Sequence, residues 1–171
     1  MIVTNPVRKN WNTPREKRVG ILLHYDASRS DKGAIAWLTA DPRCAVSYHV
    51  LVTDDGTAYQ IAPLDKRPYH AGTCVPSDPK RLPYRDANSA LYGVAIAATD
   101  GEVATAAQVK GVVGVCDLLA AREGWDLAKE SWRIVGHSSE AWPRGRKTDP
   151  EGSNPAKPVL SVTAVRAALT P

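Results

Sequence analysis

"AVSYHVLVTDDGTAYQIAP", residues 45–63, places β-branched and aromatic residues on both sides of an Asp55-Gly56 pair. Such a pair between two apolar runs is a strong local signal for a β-hairpin. The segment therefore reads as two short strands joined by a tight turn. Tyr48 and His49 are neighbours in the first of them and so point to opposite faces. His49 reads as a satisfied core histidine. A lone hairpin is not stable in water, so the fold depends on what flanks it.

Toward the N-terminus, "RVGILLHYD" (18–26) reads as a buried strand. Val19, Ile21 and Leu23 fall on one face, Leu22 and His24 on the other. Ser30 or Asp31 can cap a short helix that must end by Asp41-Pro42. Beyond the hairpin, residues 63–90 form a long stretch rich in Pro, Asp and Lys, including "VPSDPKRLPYRDANS". A loop of that length inside a small domain tends to be functional. "ALYGVAIAAT" (90–99) is another apolar strand. From Thr105 to Glu123, Val109, Val112, Val113, Cys116, Leu119 and Ala120 form the stripe of an amphipathic helix stopped at Gly124. "WRIVGH" (132–137) is a further strand, and "SVTAVRAAL" (161–169) a last helix capped by Ser161. Strands interleaved with helices imply one α/β domain, a mixed central β-sheet flanked by helices. The domain is expected over 19–171, with 1–18 as a polar surface segment.

The composition suits that reading. An apolar share of 43% with 23% charged residues is ordinary for a globular domain of 171 residues. Phenylalanine is absent, so Trp, Tyr and aliphatic residues must fill the interior. Trp37, Trp125 and Trp132 read as core, whereas Trp142 lies in a proline-containing loop. No apolar run approaches the roughly 20 residues that span a bilayer, so no membrane insertion is expected. The opening residues lack the apolar core of a secretory signal. Cys44, Cys74 and Cys116 are an odd set with no CxxC spacing. They read as free thiols rather than a disulfide framework or a cysteine metal site. A net charge of +4 favours an anionic partner. The cations are scattered and match no nucleic-acid-binding motif, so no specific nucleic acid is expected.

The chemistry concentrates in "GHSSEAWPRGRKTDP" (136–150) and in His24. His24 and His137 each end an apolar strand, where a side chain can leave the core at a sheet's rim. Either alone would read as a core or surface residue. Together with Asp149 they would supply three N/O ligands with a fourth position open, the pattern of a catalytic zinc site. Around Asp149 lie Arg144, Arg146 and Lys147, with a single acid, Glu140, in the same stretch.

"LLHYDAS", "VSYHVLVTDDGTAYQ", "YHAGT", "NSALYGVAI", then "GHSSE" and "GRKTDP" occur in an order that resembles the zinc-dependent N-acetylmuramoyl-L-alanine amidases. That family includes phage lysozyme-type amidases and animal peptidoglycan-recognition proteins. The resemblance runs from about Val19 to Pro150. It implies hydrolysis of the amide joining N-acetylmuramic acid to L-alanine of the peptidoglycan stem peptide. His24 and His137 match the two histidine ligands for Zn2+, and Asp149 the third. Lys147 matches a catalytic lysine and Tyr48 a catalytic tyrosine of the phage enzymes. His70 lies where family members line the substrate cleft.

In that chemistry zinc and the Lys147 ammonium would hold the charge developing on the scissile carbonyl. Tyr48 would donate a hydrogen bond to the same oxygen or position the water. Glu140 is a rival base. The arginines are expected to face solvent or anionic glycan, Trp142 to stack on the glycan, and Asn88 to fix a turn. The chain departs from the family pattern in a longer stretch between His137 and Lys147, and in Glu151 after Asp149-Pro150.

The expected setting is an endolysin or prophage lysin, a monomer held in the host cytoplasm until release onto the cell wall. The alternatives are a non-catalytic peptidoglycan-binding module of the same fold and a basic nucleic-acid- or polymerase-binding regulator.

Overall fold

The computed structural model describes residues 2–4 and 10–170. Its strands and helices are, in chain order, β1 (Ile2–Thr4), β2 (Trp11–Asn12), β3 (Gly20–Tyr25), α1 (Asp31–Thr39), β4 (Val50–Val52), β5 (Ala58–Gln60) and β6 (Arg67–Pro68). They continue with α2 (Ala87–Ala90), β7 (Leu91–Ile96), α3 (Ala106–Glu123), β8 (Ile134–Gly136), α4 (His137–Glu140) and α5 (Val162–Ala168). Six strands form one sheet in the order β1-β5-β4-β7-β3-β8. Only the β4–β5 hairpin is antiparallel within it, so the sheet is mixed, as expected. Strands β2 and β6 pair separately.

The hairpin is shorter than its sequence suggests. Leu51 faces Tyr59 across the ladder, and Thr53 to Thr57 make the loop, with Gly56 at φ +81°. Residues 45–49 stay outside β4: His49 still bonds β7 through the Gly93 carbonyl, but the chain before it leaves the sheet. The Ser47 N–H, for instance, reaches the Tyr69 carbonyl in the long 63–90 loop.

Strands β3 and β7 are buried on both faces, which explains their near-continuous apolar sequence. Ile21 and Leu23 pack with Val112, Val115, Cys116 and Leu119 of α3. Leu22 points the other way, into a second cluster with Leu82, Leu91 and Val135. Val19 joins Leu22's cluster rather than Ile21's, because it precedes the strand. Burying each such Val or Leu of α3 contributes roughly 1.5–3 kcal/mol. Helix α3 begins in a Thr105–Gln108 capping box and ends on Gly124 at φ +74°. Ser30, not Asp31, caps α1, and Ser161 caps α5.

Three expectations need correction. Ile2–Thr4 belong to the sheet, as the strand parallel to β5, although residues 1–18 read as a polar surface segment. An edge strand needs only backbone partners, and three residues carry no visible alternation. Trp37 is over a third exposed, with the Arg43 guanidinium 5.8 Å from its ring, and is not core. Trp132 enters a single 3-10 turn before β8 rather than the strand itself. Among the described residues Cys44, Cys74 and Cys116 form no disulfide with one another. Among the described residues no helix is long and apolar enough to cross a membrane.

Candidate metal centre and active site

Strands β3 and β8 run parallel side by side, with Leu23 opposite Gly136. The next residue of each is a histidine. His24 and His137 thus leave the sheet together at the carboxyl ends of adjacent strands, where open α/β sheets bind ligands. Their ring centroids lie 4.6 Å apart. Asp149 returns to the same point from the loop after α4, where the Ser138 N–H donates to its backbone carbonyl at 2.6 Å. The return needs Gly136, since a Cβ there would stand 2.9 Å from Pro150 Cδ.

His24 Nδ1 is 2.8 Å and His137 Nδ1 is 3.0 Å from Asp149 Oδ2. One ligand atom from each of the three residues lies within 4.8 Å of the other two, and all three residues are buried. His137 Nε2 faces the Ala71 carbonyl oxygen at 2.8 Å. A carbonyl only accepts, so Nε2 of His137 carries a proton and Nδ1 is the nitrogen that meets Asp149. Burial pulls His24 down to about 4, so it is neutral at pH 7. Burial alone would raise the Asp149 carboxyl, but the histidine nitrogens against it hold it well below the usual range. A divalent ion bound by the three would take both Nδ1 atoms as lone pairs, in place of their hydrogen bonds to Asp149. Two imidazoles and one carboxylate fit zinc in number and kind.

The triad forms one wall of a cleft of about 390 Å³, which Tyr48, His70, Arg146 and Lys147 also line. The Tyr48 ring is buried, its centroid 5.1 Å from that of His24. Burial, then the charge of Asp149, pushes its phenol up, so it remains a donor. Lys147 is exposed and has no carboxylate partner among the described residues. A larger hollow of about 560 Å³ between Pro76, Pro79, Pro83 and Tyr84 offers no comparable ligand set.

A family model for N-acetylmuramoyl-L-alanine amidase matches residues 15–152. The chain belongs to the N-acetylmuramoyl-L-alanine amidase family. Peptidoglycan amidase activity follows from that membership, and neither rival function is favoured. A comparison with curated proteins found no match. Solved structures share the amidase's fold. A selenomethionine derivative of AmpD superposes with a TM-score of 0.74 at 23% identity, over 99% of this chain and 94% of its own. A mutant endolysin from Bacillus subtilis gives 0.65 at 21%, over 99% and 98%. AmiD from E. coli, in complex with anhydro-N-acetylmuramic acid-L-Ala-D-gamma-Glu-L-Lys, gives 0.67 at 20%, over 92% and 58%.

Other residues singled out in the sequence have partners of their own. Glu140, the rival base, does not line the cleft. It is fully buried, and its Oε2 accepts from the Tyr84 hydroxyl at 2.7 Å and the Ser77 N–H at 3.1 Å. The carboxylate thus ties α4 to the 75–84 segment. Nothing in its position on α4 betrayed this, because both partners come from a distant loop. Arg144 and Arg146 do not simply face solvent. Arg144 donates to the carbonyls of Ser139, Ala141 and Val75. Arg146 donates to those of Trp142, Ala71 and Thr73. The arginines therefore lace the ligand-bearing loop to the 71–75 segment. Trp142 is half exposed on that loop, outside the cleft lining.

His49 is the satisfied core histidine expected, with Nδ1 accepting from the Gly93 N–H and Nε2 against the Lys66 carbonyl. His70 packs flat on Gly93, where a Cβ would come within 2.6 Å of its ring. Its Nδ1 lies 3.1 Å from His24 Nε2, and its Nε2 finds no protein partner among the described residues. The Ala71 carbonyl, bonded to His137, was invisible in sequence because a backbone group leaves no residue-type signal.

Proposed function

We propose that this chain is a zinc-dependent peptidoglycan amidase that cuts between N-acetylmuramic acid and L-alanine of the stem peptide. The observation that carries the reading is the convergence of His24, His137 and Asp149, one ligand atom of each lying within 4.8 Å of the other two. A zinc ion held there would acidify a bound water and polarise the scissile carbonyl. The chain's own side chains supply the rest. Lys147, on the open side of the cleft, would steady the charge that develops on the carbonyl oxygen. The protonated Tyr48 phenol would donate a hydrogen bond to the same oxygen. His70, a residue of the cleft lining, would contact the substrate, and half-exposed Trp142 would stack on the glycan. Glu140 is left out of the chemistry because Tyr84 and Ser77 occupy it.

The setting we favour is an endolysin or prophage lysin, monomeric, held in the host cytoplasm and acting on the wall after release. The charge of +4 suits an anionic wall polymer. The test is metal analysis of the purified protein, paired with mass spectrometry of muropeptides digested with and without chelator. One zinc per chain, and stem peptides with a free L-alanine amine released only without chelator, are expected. Metal-loaded protein that binds walls yet frees no stem peptide would overturn the reading.

A further inference from the structure

Both ligating histidines lean on the same short piece of chain. His24 Nε2 is 3.1 Å from His70 Nδ1, and His137 Nε2 is 2.8 Å from the carbonyl oxygen of the next residue, Ala71. The backbone N–H groups of His70 and Ala71 converge in turn on one atom, Asn88 Oδ1, at 2.9 and 2.8 Å. Asn88 is buried on α2, whose N-cap Asp86 accepts the Asn88 N–H at 3.2 Å. Arg67 pins Asp86 at 2.6 Å, so the helix that carries Asn88 is itself anchored.

We propose that Asn88 is a positioning residue for the metal: one amide oxygen fixes the outer hydrogen-bond partners of both ligating imidazoles. This rests on the zinc reading above. A metal-binding imidazole is oriented by what its second nitrogen bonds, and losing such a partner costs about 10–100-fold in metal affinity. Each ligand ordinarily has its own outer partner. Here the partners are consecutive residues, so a single acceptor controls both. With Nε2 of each ring donating outward, both Nδ1 lone pairs stay turned to the ion. Asn88 touches neither metal nor substrate. A side chain that merely filled space at this position would do as well with leucine, which has similar bulk and no acceptor.

Zinc affinity, measured against a competing chelator, should separate the two roles. Asn88→Asp keeps the acceptor and should stay within a few-fold of the native protein. Asn88→Leu should lose about 10–100-fold. Val112→Ala, in the distant core, should melt at lower temperature in the zinc-free state yet keep native affinity. Nitrogen-15 NMR of the zinc-loaded native protein should show His24 and His137 both protonated on Nε2, with exchange-protected ring protons. In Asn88→Leu that protection should fall. Native zinc affinity in Asn88→Leu would overturn the proposal, as would a ring proton on Nδ1 of either ligand. The spectrum of the native protein decides the matter even if Asn88→Leu does not fold. A native protein that binds no zinc would instead sink the proposed function itself.

Discussion

Three acidic or basic side chains near the cleft have separable jobs, and single substitutions should separate them. Asp149→Ala should abolish tight zinc binding, because it removes the one anionic ligand of the triad. Lys147→Ala should leave zinc in place and lower kcat on muropeptides about 10²–10³-fold, the usual loss for one oxyanion donor. Full activity in that variant would remove Lys147 from the reaction. Glu140→Ala should behave differently from both. It strands the Tyr84 hydroxyl and the Ser77 N–H in a buried site, at a cost of about 2–3 kcal/mol read by urea unfolding. Zinc affinity and activity per folded molecule should stay within a few-fold. A collapse of activity at unchanged stability would restore Glu140 as a base. In sequence the two carboxylates look alike, each in a loop or turn amid cations. Only their partners tell them apart.

At the scale of elements, the site is assembled by two close approaches that require glycine. Gly93→Ala would drive a methyl into the His70 ring at 2.6 Å, and moving the ring aside would break its contact with His24 Nε2. The expected cost is about 1–3 kcal/mol, with weaker zinc binding, measured by unfolding and chelator competition. Equal stability and affinity in Gly93→Ala would mean the 69–73 segment is looser than its hydrogen bonds imply. Helices and long strands were legible from the chain: α3 from its apolar stripe, its Thr105 cap and Gly124, and β3 and β7 from their uninterrupted apolar runs. Short elements were not. Strand β1 and the truncated start of β4 depend on which distant backbone supplies a partner. Local propensity carries no record of that.

Across the whole molecule, the buried imidazoles make stability depend on pH in a defined direction. Burial, reinforced by the Arg18 guanidinium, holds His49 well below its usual 6.5, and burial does the same to His70 and, to about 4, to His24. The unfolded chain takes up protons below 6.5 that the folded chain refuses. Stability of the zinc-free protein should therefore be complete above 6.5 and fall on acidification, by up to about 1.4 kcal/mol per pH unit for each such ring. Urea unfolding at pH 7.5 and 5.5 checks this. Equal stability at the two values would mean these rings are charged or hydrated in the fold. By itself, the chain's order of residues determined the domain class, the long elements and the identity of the candidate ligands. The first two follow from periodicity and capping chemistry, which are local; the ligands stood out through the resemblance of the motifs around them to the family. Tertiary structure alone decided that His24 and Asp149, 125 positions apart, meet at one point, that Glu140 turns away, and that Asn88 grips the segment behind both histidines. Each of these depends on parallel strand register and on loops returning across the sheet, and such long-range contacts leave no mark in any short stretch of sequence.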